Sequence, residues 1–107
     1  MSTFGKVISD ARKKLRVSQK ELAARIKKED GSQISPQYLN DIEHDRRNPP
    51  SESLIEQFAR ELELSKDYLC LAAGSLPQAD LKRLGGLEPD VVEDAYRVFR
   101  RKIRGGQ

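Results

Sequence analysis

Apolar residues recur along this chain at intervals of three and four, and no stretch alternates with a period of two. That spacing writes one face of a helix, so helices and no strands are expected. Phe4, Ile8, Ala11 and Leu15, with Val7 beside them, outline a first helix over about 3–15. Ser18-Gln19-Lys20-Glu21 has capping-box spacing: the Ser side chain accepts from an early backbone N–H and the Glu reaches back to the cap. A second helix over about 19–28 follows, burying Leu22, Ala23 and Ile26. A third opens at Ser35 with Pro36 in the first position, where a missing N–H costs nothing. Leu39 and Ile42 face inward, Tyr38 lies at the edge, and Gln37, Asn40, Asp41 and His44 face out. Asp45 is expected in the left-handed position that ends this helix, which Asp tolerates better than most residues. Ser51 starts a fourth helix, with Leu54, Ile55, Phe58, Ala59 and Leu62 inward. Ser65 starts a fifth, with Tyr68, Leu69, Leu71 and Ala72 packing and Gly74 as terminator. A linker with one possible helical turn, about 78–84, precedes a sixth helix over about 89–103. Val91, Val92, Ala95, Tyr96, Val98, Phe99 and Ile103 give that helix a broad apolar face, and RRKIRGGQ is its basic end.

The pattern therefore predicts an all-α chain: a five-helix domain over 1–75, then a linker and C-terminal helix over 76–107. The 107 residues are 36% hydrophobic and 35% charged, polar for a globular chain but above the disordered class. No run of about 18 apolar residues exists, so no membrane span is expected. The start MSTFGKVISD lacks an apolar signal core, so no secretion is implied. Cys70, the single cysteine, lies in the apolar run YLCLAA and reads as a buried small hydrophobe, which fits a reducing cytoplasm. Net charge is only +3, but it is unevenly placed. Residues 1–28 balance at +7, 29–50 at −3, 51–94 at −6 and 95–107 at +5. Such asymmetry suits a polyanion partner; a surface charged for solubility would look the same. One His, one Cys and no paired-carboxylate or phosphate-loop motif argue against an enzyme, and no ligand set for a metal or cofactor is present.

Two short helices, a connection and a third helix with an exposed polar face form a helix-turn-helix unit. The stretches VSQKELAARI and ISPQYLNDIEHDRRNPPSESLIEQFARELELSKDYLCLAAG resemble the Cro/repressor-type (xenobiotic-response-element) helix-turn-helix family over residues 3–74. Ser18-Gln19, Leu22-Ala23, Tyr38-Leu39, Ile42-Glu43, Arg47-Asn48-Pro49 and Ala59 to Leu62 carry the resemblance. It implies a five-helix regulator, commonly a repressor, that binds palindromic double-stranded DNA as a homodimer with helix three in the major groove. It assigns base reading to Pro36, Gln37, Asn40 and Asp41. Gln37 and Asn40 can pair with an adenine edge, and a carboxylate such as Asp41 can accept from the cytosine amino group. The other reading of Asp41 is an ion pair with a neighbouring base such as Arg46. Phosphate contact falls to Ser18, Gln19, Lys20, Ser35, Tyr38, Arg46, Arg47 and Asn48. The resemblance also implies a partly buried ion pair between Arg12 and Glu43, which removes Glu43 from the DNA face.

One departure stands out. Lys27 to Gln33 make the link between helices two and three about six residues longer than the family's turn. Either helix two runs on through Lys28, or an adaptable loop bulges near the DNA. The tail, through Val91, Val92, Ala95, Tyr96 and Phe99, is expected to make the homodimer. A competing function is an antitoxin-like or protease-partnered protein, with the acidic fourth helix and the tail docking a second regulatory protein.

Overall fold

Each of the first five helices begins where a Ser or Thr meets the apolar period. The structure, a computed structural model, describes residues 2–105. Helix α1, Phe4–Lys14, is capped by Thr3, whose hydroxyl accepts from the Lys6 N–H. Arg16 then takes a left-handed turn (φ 58°), and the Val17 N–H bonds back to the Arg12 carbonyl. Helix α2, Gln19–Arg25, carries a complete capping box: Ser18 Oγ accepts from Glu21 N–H at 3.0 Å, and Glu21 accepts from Ser18 N–H at 3.1 Å. Helix α3, Pro36–Glu43, starts on Ser35, which accepts from Tyr38 N–H, with Pro36 in its first turn. Helix α4, Glu52–Leu62, has Ser51 at the cap position, but that side chain makes no cap bond. Helix α5, Lys66–Ala72, is capped by Ser65 and followed by Gly74 at φ 80°.

Helix two is shorter than the periodicity suggests, and the long link is neither a helical turn nor an open loop. The chain turns extended at Ile26 and folds into a small antiparallel hairpin. Lys27 bridges Gln33, Ile34 N–H donates to the Ile26 carbonyl at 3.0 Å, and Lys28 N–H donates to the Ser32 carbonyl at 2.7 Å. Gly31 supplies the left-handed tip at φ 87°, where other residues are strained. Asp30 Oδ1 accepts from both the backbone and the hydroxyl of Ser32. The hairpin is also tied down. Gln57 of α4 clamps both backbone groups of Lys27, at 2.7 and 2.8 Å, and the hairpin's flanks, Ile26 and Ile34, are buried. A hydrophobic anchor at each leg removes the freedom an insertion of this length would otherwise have.

The chain divides into two compact units, Met1–Pro77 and Gln78–Gln107. In the first, α1 to α5 surround one core built on Ile8, Leu22, Leu39, Ile42, Phe58 and Leu69. Cys70 lies in the same core, where burial pushes its thiol up from the usual range. Only Leu69 and Cys70 of α5 are buried; Tyr68 and Leu71, expected to pack, are 41% and 40% exposed. Helix α1 approaches α3 closely because Gly5 has no side chain: a Cβ there would meet the Glu43 carbonyl and the Asp45 carboxylate at 2.7 Å. In the second unit lie α6, Gln78–Gly85, and α7, Pro89–Ile103. Neither holds a buried residue among those described.

Candidate nucleic-acid interface

Helix α3 presents its first two turns outward. Pro36 and Gln37 are exposed, and Asn40, Asp41 and Tyr38 are half-buried. Behind them sits the ion pair of Arg12 and Glu43. Arg12 Nε donates to Glu43 Oε2 at 2.6 Å, and Nη2 donates to Oε1 at 2.9 Å, a bidentate fork. Arg12 Nη1 also donates to the Val17 carbonyl at 2.9 Å, so α1, its C-terminal turn and α3 meet at one side chain. The Glu43 carboxylate raises the Arg12 pKa further above its usual value, so the guanidinium stays charged. With Glu43 only 8% exposed, removing either partner leaves a buried charge and costs about 3–5 kcal/mol.

The pair is the root of a longer chain of bonds that ends on the outward face of α3. Gln19 Nε2 donates to Glu43 Oε1 at 3.0 Å, and Gln19 Oε1 accepts from Asn40 Nδ2 at 3.4 Å. Asn40 Oδ1 accepts from Arg46 at 3.3 Å. Arg46 and Arg47 both lie beside Asp41, at 3.6 and 3.8 Å. Asp41 Oδ1 finally accepts from Gln37 Nε2 at 3.0 Å. Gln19, Gln37, Asn40, Asp41, Arg46 and Arg47, six of the residues the sequence singles out, thus share one network. Each amide is held in a single orientation by two partners or by a carboxylate, which preorganises it.

Arg47 also covers the ring of Tyr38, its guanidinium 5.0 Å from the centroid. Two open clefts of about 650 Å³ each flank this stack. One is lined by Lys27, Lys28, Glu29, Asp30, Ile34, Ser35, Tyr38, Arg47 and the start of α4, so that two acids stand among its bases, and the other by Tyr38, Asp41, Arg46, Arg47, Asn48 and Pro49-Pro50. Ser18 and Lys20 are exposed at the start of α2, outside the network. The Ser18 hydroxyl is spent on its cap. His44 is exposed, its ring nitrogen 2.8 Å from the Asn40 carbonyl, and so donating to it.

Sequence reasoning misses three residues that position this face: Thr3, Gly5 and Gln57. Asp45, at φ 56°, does more than turn the chain: its Oδ1 accepts from Gly5 N–H at 3.0 Å and its Oδ2 from Thr3 Oγ at 2.7 Å. The acid after α3 therefore staples the N-terminus of α1, where a negative charge is favoured. Its spacing of 40 residues from Gly5 leaves no local signal. The Gln57 clamp, 30 residues from Lys27, is equally silent.

Among the described residues no group of acids, His and Cys is placed to hold a metal ion, and no helix is long and apolar enough to cross a membrane. No curated protein and no solved structure matches the chain. A helix-turn-helix family model, HTH_3, matches residues 8–69, which run from α1 into α5 and make up more than half of the chain. The chain belongs to this Cro/repressor-type helix-turn-helix family, and residues 8–69 are its DNA-binding domain.

Proposed function

We propose that the protein is a sequence-specific transcriptional regulator, a repressor that binds a palindromic operator as a dimer with α3 in the major groove. The carrying observation is the bond chain from the buried Arg12–Glu43 pair through Gln19 and Asn40 to Asp41 and Gln37. It fixes base-reading amides to the core at the end of a helix that a major groove about 12 Å wide admits. Gln37 pairs with an adenine edge, Asn40 with a second, and Asp41 accepts from a cytosine amino group. Pro36 offers apolar contact to a thymine methyl. Arg46, Arg47, Asn48, Tyr38 and Ser35 take phosphates along the two clefts, with Ser18, Gln19 and Lys20 at the start of α2. Arg47 is stacked on Tyr38 and so is already ordered before it meets a phosphate.

Base and phosphate contacts differ in what they do to a binding curve. Gln37→Ala is expected to cost about 1–3 kcal/mol on the selected operator and to relax choice at one base pair. Arg47→Ala is expected to weaken all duplexes alike and to reduce the salt slope by about one. Selection from random duplexes followed by salt titrations measures both. Equal effects of both variants on all sequences would show that α3 is not the reader.

A further inference from the structure

Helix α7 is 15 residues long and spans about 22 Å. Its apolar stripe is bare: Val91 is 46% exposed, Val98 53%, Phe99 47% and Ile103 66%. Tyr96, at 54%, lies against Phe99 with ring centroids 6.0 Å apart, and the Arg100 guanidinium lies over the Tyr96 ring, 4.5 Å from its centroid. A stripe of this size on a 15-residue helix asks for a partner. The charges beside it are sorted by sign along the axis. Asp90, Glu93 and Asp94 occupy the N-terminal half, and every charged residue from Arg97 to Arg104 is a base.

We propose that the stripe is covered by α7 of a second copy, running antiparallel and centred near residue 97. This rests on the dimeric reading above and gives it an orientation and a register. With 3.6 residues per turn, Glu93, Asp94, Arg97, Arg100 and Arg101 fall on the side turned away from the stripe, so they act along the length of a pair and make no contact across it. Antiparallel pairing lays the acidic half of each helix beside the basic half of the other, at both ends of the pair. The apolar residues supply the centre. Reversal about residue 97 brings Ala95 opposite Phe99, near the middle of the stripe. Val92 falls opposite Lys102, whose aliphatic stem covers it while the ammonium reaches water. Arg97, at the centre, lies on the face away from the stripe and pairs with Asp94 of its own helix at 3.1 Å. Parallel pairing would instead set acidic half beside acidic half and basic half beside basic half, which repels.

The test uses the full chain. V92C and K102C variants are mixed one to one under mild oxidation, with the wild-type chain as control for Cys70, which is 1% exposed. The mixture is expected to form a disulfide-linked heterodimer, and neither variant alone should link to itself. In the proposed register, two copies of residue 92 lie about 15 Å apart along the axis, whereas a disulfide needs Cα atoms within about 7 Å. Charge reversal is a second readout. E93K/D94K and R100E/R101E are each expected to weaken dimerisation by roughly tenfold or more at low salt. Mixing the two should restore it, which also shows that both variants are folded. Self-linking of V92C would overturn the antiparallel arrangement and leave the dimer standing. A wild-type chain that sediments as a monomer at micromolar concentration would overturn the arrangement and the dimer together.

Discussion

Asp41 is contested by its surroundings. Its carboxylate touches Arg46, Arg47 and Gln37 at once, yet it stands on the face proposed to meet DNA. A phosphate approaching either arginine must displace this internal anion first. An arbitrary duplex offers nothing in return, whereas a cytosine amino group on the right base pair gives the carboxylate a new partner. Asp41→Asn is therefore expected to raise affinity for random duplex about three- to tenfold, the scale of two partly exposed ion pairs. Affinity for the selected operator should rise less, so the ratio of specific to non-specific binding falls. Competition titrations at fixed salt measure that ratio, and an unchanged ratio would remove Asp41 from discrimination. The three acids around the end of α3 show what a sequence carries at this scale. The Arg12–Glu43 pair was reached through resemblance, since no local pattern joins positions 31 apart. The left-handed turn at Asp45 was legible because helix ends have few residue choices. The staple it makes to Thr3 and Gly5 was not, because it depends on how closely α1 and α3 approach.

Helix starts were legible because they follow local chemistry: Ser18, Ser35, Ser51 and Ser65 all stand at cap positions. Helix ends were less so, because two of them turn left-handed on residues that give no signal for it, Arg16 at φ 58° and Glu63 at φ 57°, the conformation that Asp45 takes at 56°. A side chain in that conformation costs roughly 1–2 kcal/mol unless it earns compensating bonds. Arg16→Gly and Glu63→Gly are thus expected to raise stability by about 1 kcal/mol each. Asp45→Gly relieves the same strain but removes two bonds to the start of α1, so it should lower stability. Urea denaturation of the three variants measures this, and a stabilising D45G would refute the staple. The capping box of α2 adds a pH dependence. Bonds from the Ser18 backbone and side chain hold the Glu21 carboxyl below the usual carboxylate range. A depressed folded-state pKa gives stability that is present above the unfolded value and lost as pH falls through the folded one. Glu21→Gln keeps an acceptor but cannot titrate. The advantage of the wild-type chain over E21Q at neutral pH should shrink as acid is added, in denaturation curves between about pH 7 and pH 3. The hairpin at residues 26–34 escaped the sequence for a related reason. Its legs are held by single buried isoleucines and by Gln57, so it shows neither helical nor alternating period.

At the scale of the whole molecule, the proposed reading and pairing surfaces fall in different units. The core, the ion pair and the polar face of α3 all lie within Met1–Pro77, and the bare apolar stripe lies within Gln78–Gln107. Affinity for an operator then depends on two reading units being joined through their tails. Joining turns the second half-site contact into an intramolecular event, worth 10²–10⁴-fold where linker and spacing allow it, with no new contact to DNA. Half-sites centred about 34 Å apart, or a multiple of that turn, present the same face of the duplex to both units. Five extra base pairs rotate the second half-site to the far side. Full-length protein is expected to lose roughly a hundredfold in affinity when five base pairs are inserted, and to regain it when ten are. A chain ending at Pro77 keeps every reading residue and loses the stripe, so it should bind each half-site alone, weakly, and with no dependence on spacing. Gel-shift titrations of both chains against the three spacings decide the matter. Spacing dependence retained by the shortened chain would place the pairing surface within the reading unit instead of the tail.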